Sequence, residues 1–214
     1  EGHRTNIPHF DLNWDEISIK YNKPKSELKK NYNFIREKIF NHRELRVHPQ
    51  KDDKILTDWN GLMISALARA AIILDNKNYL EAAKKSADFI IENLILKDGK
   101  LLKRYRNGNA GLDGVLDDYA YVIWGLIELC QYNFNPKYLE DAIILSDYQI
   151  KHFWDKKDGG FFFTSDIGEE LLIRSKEIYD GAIPSGNSVS TNNFIRLSRL
   201  LSRSDYEDIA NDLL

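Results

Sequence analysis

The sequence predicts an all-α chain, a curved array of helix hairpins that makes up part of an α/α toroid, a partial barrel with short β-hairpin lips. Three observations carry the prediction. A helix opened by tyrosine recurs three times, a more apolar helix precedes each recurrence, and glycine-marked extended segments separate the pairs.

The recurring segments are Asn78-Tyr79-Leu80-Glu81-Ala82-Ala83, Pro136-Lys137-Tyr138-Leu139-Glu140-Asp141-Ala142 and Ser204-Asp205-Tyr206-Glu207-Asp208-Ile209-Ala210. Their tyrosines lie 59 and then 68 residues apart. The preceding helices begin at Thr57-Asp58-Trp59-Asn60-Gly61, at Leu116-Asp117-Asp118-Tyr119 and at Pro184-Ser185-Gly186-Asn187-Ser188. Of these, Tyr119 to Cys130 is apolar almost all round, with Glu128 its one charge, which requires neighbours on every side. Residues 79 to 95 are amphipathic instead, with Lys84, Lys85, Asp88 and Glu92 opposite Leu80, Ala83, Ala87, Ile90 and Leu94. Buried helices alternating with one-sided ones predict an inner and an outer layer.

The connections Lys97-Asp98-Gly99-Lys100-Leu101-Leu102 and Asp158-Gly159-Gly160-Phe161-Phe162-Phe163-Thr164 each join a turn signal to an extended run. Both read as lips beside the inner-helix N-termini, the second more strongly. Ahead of the repeats, Thr5 to Phe10 reads as extended and Asn13 to Tyr21 as a short helix with Trp14 and Ile17 inward. A charged amphipathic helix follows from Ser26 to about Glu44. The organisation is a preceding region over 1–50 and helical hairpins over 51–100, 101–155 and 156–214. Three hairpins do not close a ring, so the chain reads as a fragment of a longer protein. An open helical solenoid is the alternative.

Composition narrows the function classes. Hydrophobic content of 43% supports a buried core, and a net charge of −3 without a basic stripe argues against nucleic acid. The apolar runs are too short to span a bilayer. Cys130 is the one cysteine, so neither an internal disulfide nor a Cys/His zinc site is expected, and a cytoplasmic setting is the default. No metal or cofactor motif is present.

The inner-helix starts hold the polar constellations. Helix N-termini present free N–H groups and partial positive charge, suited to hydroxyls and acids. At the first, Asp58 reads as a cap or ligand, Trp59 as an aromatic platform and Asn60 as a hydroxyl partner. At the second, one of Asp117 and Asp118 suffices as a cap, which frees the other for acid/base work. Tyr121 replaces the third acid that a magnesium–diphosphate motif would need. At the third, Asp180 offers a second carboxylate, and Ser185 and Asn187 offer hydroxyl partners, or the loop is simply a capped turn. Tyr119 would stack on a ring, and Arg104 on the first lip would clamp an anion or stay solvated. His48 is near a mouth and His152 reads as structural.

The runs Asp52 to Ile64, Leu116 to Ala120 and Tyr179 to Ser188, in this order, resemble the YyaL family of thioredoxin-domain-containing proteins, the group that includes spermatogenesis-associated protein 20. The resemblance runs from about Glu1 to the end. It implies a full-length protein with a thioredoxin-like domain in cis, absent from this chain, followed by a six-hairpin glycosidase-like toroid similar to those of N-acylglucosamine 2-epimerases. Those epimerases use paired histidines, and no matching pair is found in this sequence. The expected ligand is therefore a sugar-like small molecule. Asp117, Asp118 and Asp180 are the candidate acids of a glycosidase- or epimerase-like reaction. The alternatives are a non-catalytic glycan- or protein-binding scaffold, or motifs that only fix turns. The isolated chain is expected to self-associate through exposed inner-helix surface.

Overall fold

A computed structural model describes residues 9–169 and 171–214. The chain divides into two compact units between Asp52 and Asp53.

In the first unit, α1 (Trp14–Tyr21) begins at a capping box. Asn13 Oδ1 accepts the amides of Asp15 and Glu16, and Glu16 accepts the Asn13 amide in return. α2 (Lys25–Glu44) follows. Phe10, Trp14 and Tyr32 cluster with ring centroids 4.8–5.7 Å apart. Trp14 and Ile17 are half-buried rather than fully inward, and Phe34, Ile35, Ile39 and Phe40 are exposed. The extended reading of Thr5 to Phe10 falls mostly outside the described residues.

The second unit holds three inner/outer pairs: α3 (Thr57–Ile73) with α4 (Lys77–Asn93), α5 (Leu116–Asn133) with α6 (Pro136–Phe153), and α7 (Gly186–Leu201) with α8 (Ser204–Asp212). Asn76 caps α4, and α6 combines an Asn135 cap with proline in its first turn. The inner helix α5 packs against α3, α6 and α7, which explains its all-round apolarity. Tyr119, Val122, Ile123, Leu126 and Ile127 are all buried there. On α3, by contrast, Met63, Ile72 and Ile73 are exposed, as is Leu74 at its C-cap. Cys130, near the end of α5, is half-buried.

Glycine sets how closely the inner helices approach. A Cβ on Gly61 would lie 2.6 Å from the carbonyl carbon of Tyr121, so the α3 and α5 backbones are in contact there.

The first lip is an antiparallel sheet of β1 (Ile55–Leu56), β2 (Leu102–Arg106) and β3 (Asn109–Asp113), in that order. Leu56 faces Arg104, which in turn faces Gly111. The second lip departs from its stronger sequence signal. It has one isolated bridge, Trp154 to Phe161, because Gly159 and Gly160 both take positive φ and Phe161 turns into the core between Trp154 and Phe194.

Candidate functional site

The starts of α3 and α5 are tied together by one carboxylate. Asp118 is fully buried. Its Oδ2 accepts the Val115 amide at 2.8 Å, capping α5, and its Oδ1 accepts the Asp58 amide at 3.0 Å, capping α3. Lys103 Nζ lies 3.3 Å from Asp118 Oδ2 and 3.2 Å from Asp58 Oδ2. Burial pushes Asp118 up to about 7, against the pull of Lys103 and the Val115 amide. For Lys103, burial works downward, but Asp118 and Asp58 outweigh it and hold the ammonium charged.

Asp117 is the neighbour left over. Its Oδ1 is buried and has no hydrogen-bond partner among the described residues. Burial raises its pKa, with Asp58 and Glu177 adding to the rise and Lys103 and the Gly186 amide opposing it. The start of α7 is packed against this carboxyl, since a Cβ on Gly186 would lie 2.5 Å from Oδ1. A carboxyl whose pKa is raised by burial at a helix start, unsatisfied on one oxygen, has the character of a general acid or base.

Tyr121 stands one helical turn beyond Asp117, and its hydroxyl donates to the Pro184 carbonyl. Its pKa is raised by burial first and then by Asp117, Asp58, Asp180 and Asp118. Four carboxylates from three inner-helix starts thus act on one phenol. Asp180 is exposed, and it accepts the Ser185 amide at 2.8 Å. That bond and the Ser188 hydroxyl hold its pKa below the usual carboxylate range. Trp59 stands at the rim, 63% exposed.

Several expected ligand-binding residues do other work. Tyr119 does not face a cleft: it is buried, stacks on Tyr148 at 5.5 Å and accepts the Leu101 amide through its hydroxyl. Asn187 is buried and holds the second lip, donating to the carbonyls of Phe161 and Glu177 and accepting the Phe161 amide. Ser185 is the buried N-cap of α7, accepting the Ser188 amide. Asn60 donates to Leu56 and accepts from Ser86, on the wall of a pocket of about 820 Å³ against α4. Asp118, offered as an acid, is committed to two amides and an ammonium. Strand alternation sends Lys103, not Arg104, to the carboxylates. Of the histidines, His48 lies beside Glu44 and His152 pairs with Asp166 at 2.8 Å.

Lys103 is not marked by the sequence, and Tyr121 is marked there only as the residue in place of a third acid. The alternation of Lys103-Arg104-Tyr105-Arg106 was the available signal for the first. For Tyr121 it was the stripe Asp117, Tyr121, Trp124 at i, i+4 and i+7. Among the described residues, no group of three or more His, Cys, Asp or Glu could hold a metal ion, and no helix is long and apolar enough to cross a membrane.

No protein-family profile matches the chain. It is 35% identical to spermatogenesis-associated protein 20 of Homo sapiens, over 182 residues that cover 80% of this chain and 23% of that protein. It is 32% identical over 205 residues to an uncharacterised protein of Caenorhabditis elegans, covering 92% of this chain and 27% of that one. The chain thus spans about a quarter of the length of these curated relatives. Among solved structures, it resembles a cellobiose 2-epimerase from Bacillus thermoamylovorans, with TM-score 0.64 and 16% identity over 78% of this chain and 45% of that one. It also resembles a family 76 α-mannanase from Bacteroides thetaiotaomicron, with TM-score 0.59 and 17% identity over 79% of this chain and 45% of that one. At these identities the likeness establishes the α/α-toroid fold.

Proposed function

We propose, from the premise that this chain is a relative of spermatogenesis-associated protein 20 with an α/α-toroid fold, that the joined starts of α3, α5 and α7 bind a sugar-like small molecule and that Asp117 acts on it as a general acid/base. The observation that carries the reading is the buried, unpartnered Oδ1 of Asp117 at the start of α5, which Asp118 joins to the α3 start that bears the exposed Trp59. Trp59 supplies a flat apolar face for a sugar ring. Asp58 and Lys103 supply hydrogen-bonding partners at the rim, and Asp180 supplies an ionised carboxylate from the third helix start. The solved neighbours named as an epimerase and a mannanase support a carbohydrate ligand by fold analogy. A glycosidase-like or epimerase-like reaction both need an acid of raised pKa, which Asp117 provides.

The whole protein is proposed to carry a thioredoxin-like domain in cis, on the strength of the family resemblance. The single Cys130 accords with a reducing, cytoplasmic setting.

The test is a thermal-shift screen against neutral sugars and N-acyl sugars with wild type and Asp117→Asn, followed by product analysis of any ligand found. Stabilisation and turnover of a sugar by wild type, with turnover lost in Asp117→Asn, is the expected result. Binding retained and no turnover in either protein would favour the scaffold alternative. No shift by any sugar would overturn the carbohydrate reading and leave protein clients.

A further inference from the structure

Along α5, the residues that follow Asp117 on the same stripe are Tyr121, Trp124 and Glu128, at i+4, i+7 and i+11. The last two open onto a second pocket, roughly 10 Å further along the axis at about 1.5 Å per residue. It is bounded by Arg69 of α3, Trp124 and Glu128 of α5, and Ser188, Asn192, Asn193 and Arg196 of α7. Its volume is about 210 Å³. That is below the roughly 300–1,000 Å³ of drug-sized ligand sites and suits a single small ring.

The polar groups of this pocket are positioned yet incompletely used. Asn193 is 1% exposed, and its Nδ2 donates to the Ala120 carbonyl at 2.8 Å. That bond fixes the amide orientation, because a flip would set oxygen against oxygen. Its Oδ1 is then left buried with no partner among the described residues. An orphaned buried acceptor costs about 1–3 kcal/mol unless something donates to it. Glu128, whose side chain is 9% exposed, accepts Trp124 Nε1 at 3.0 Å and Arg196 at 2.8 Å on the same oxygen. Arg196 also donates to Gln131. The Glu128 charge is thereby answered, and the Trp124 ring and Arg196 are held in place. Arg69 is exposed, and no ion pair is formed by it among the described residues. The wall therefore carries two guanidinium groups against one carboxylate, together with an aromatic ring and a waiting acceptor.

We infer that this pocket binds the acid-bearing part of a small sugar, a single ring carrying a phosphate or carboxylate. Arg69 takes the oxyanion, Trp124 lies against the ring, and a ring hydroxyl donates to Asn193 Oδ1. The sugar half of this assignment rests on the reading proposed above. The anion half rests on Arg69 and Arg196, and the hydroxyl contact on Asn193 Oδ1.

The experiment is isothermal titration of the full chain with glucose 6-phosphate, glucuronate, glucose and inorganic phosphate, using wild type, Arg69→Ala and Asp117→Asn. Both acid sugars are expected to bind at least tenfold more tightly than glucose, and the tighter of the two identifies phosphate or carboxylate as the preferred acid. Arg69→Ala is expected to weaken them at least tenfold with an unchanged unfolding midpoint, since the side chain is exposed. Asp117→Asn is expected to retain the preference for acid sugars. Inorganic phosphate binding as tightly as both acid sugars would overturn the sugar assignment. Acid sugars that bind no better than glucose, or binding insensitive to Arg69→Ala, would overturn the inference as a whole. If binding were lost in Asp117→Asn yet unchanged in Arg69→Ala, this pocket would be excluded while the mouth reading stood.

Discussion

The amide of Asp58 donates to the carboxylate of Asp118 across 3.0 Å, so the first turn of one inner helix is capped by a side chain of the next. Asp118 caps its own helix through Val115 at the same time. A single buried group thus satisfies donors from two successive repeats, and Lys103 from the intervening lip balances its charge.

Asp118→Ala would strand both amides and leave Lys103 facing Asp58 alone. Breaking one side of a buried ion pair costs about 3–5 kcal/mol. Urea denaturation should show a loss of that order, and a loss below about 1 kcal/mol would deny the carboxylate this bridging role.

The protonation of Asp118 makes stability depend on pH in a defined direction. Its pKa rises from 3.8 to about 7 on folding. Between those values the folded chain holds a proton that the unfolded chain releases. The contribution is therefore complete below 3.8, declines as pH rises, and is lost above about 7. Asp117, also raised, acts in the same sense. Asp180 and Asp205 have depressed pKa values, and their contribution is lost at still more acid pH. The unfolding midpoint should fall as pH rises from 3.8 to about 7 and level off above that, and Asp118→Asn should flatten most of that slope.

Gly61→Ala would force a methyl group to within 2.6 Å of the Tyr121 backbone. Relief requires the two inner helices to part, at about 1–3 kcal/mol for overpacking. Thermal unfolding should register the cost, and a neutral result would mean that α3 and α5 do not touch there.

Trp59→Ala removes an exposed ring at the rim and should change stability by less than about 0.5 kcal/mol. Any sugar affinity found for the chain should nonetheless drop, and retention of full affinity would remove Trp59 from the site.

Exposed Met63, Ile72 and Ile73 on α3, with Leu74 at its C-cap, predict that the isolated chain self-associates. Light scattering should show species larger than a monomer, reduced by Met63→Lys with Ile73→Lys. A monodisperse wild-type monomer would contradict the prediction.

The repeat of tyrosine-opened helices was enough to read the layers, because periodicity records which faces are buried. That one of Asp117 and Asp118 would cap and leave its neighbour over was also legible, since one cap suffices for one helix, but which of the two was not. Lys103 was not, because its arrival depends on β2 pairing with β1 and on strand alternation, neither visible locally. Tyr119, Ser185 and Asn187 misled for a shared reason. A polar group at a helix start serves a ligand or the fold equally well in sequence, and here the Leu101 amide, the Ser188 amide and the Phe161 backbone had already claimed them.

The bridge made by Asp118 also limits how the gene can be rearranged. In an array whose units meet only their neighbours, a unit can in principle be deleted or duplicated without disturbing the rest. Here excision of the second hairpin would take away the acceptor for the first one's opening turn, so the two must be inherited together. Lengthening is tolerable at the lip tip, where Gly108 has open space around it, and not at Gly114, which lies against the Leu101 carbonyl two residues ahead of the helix.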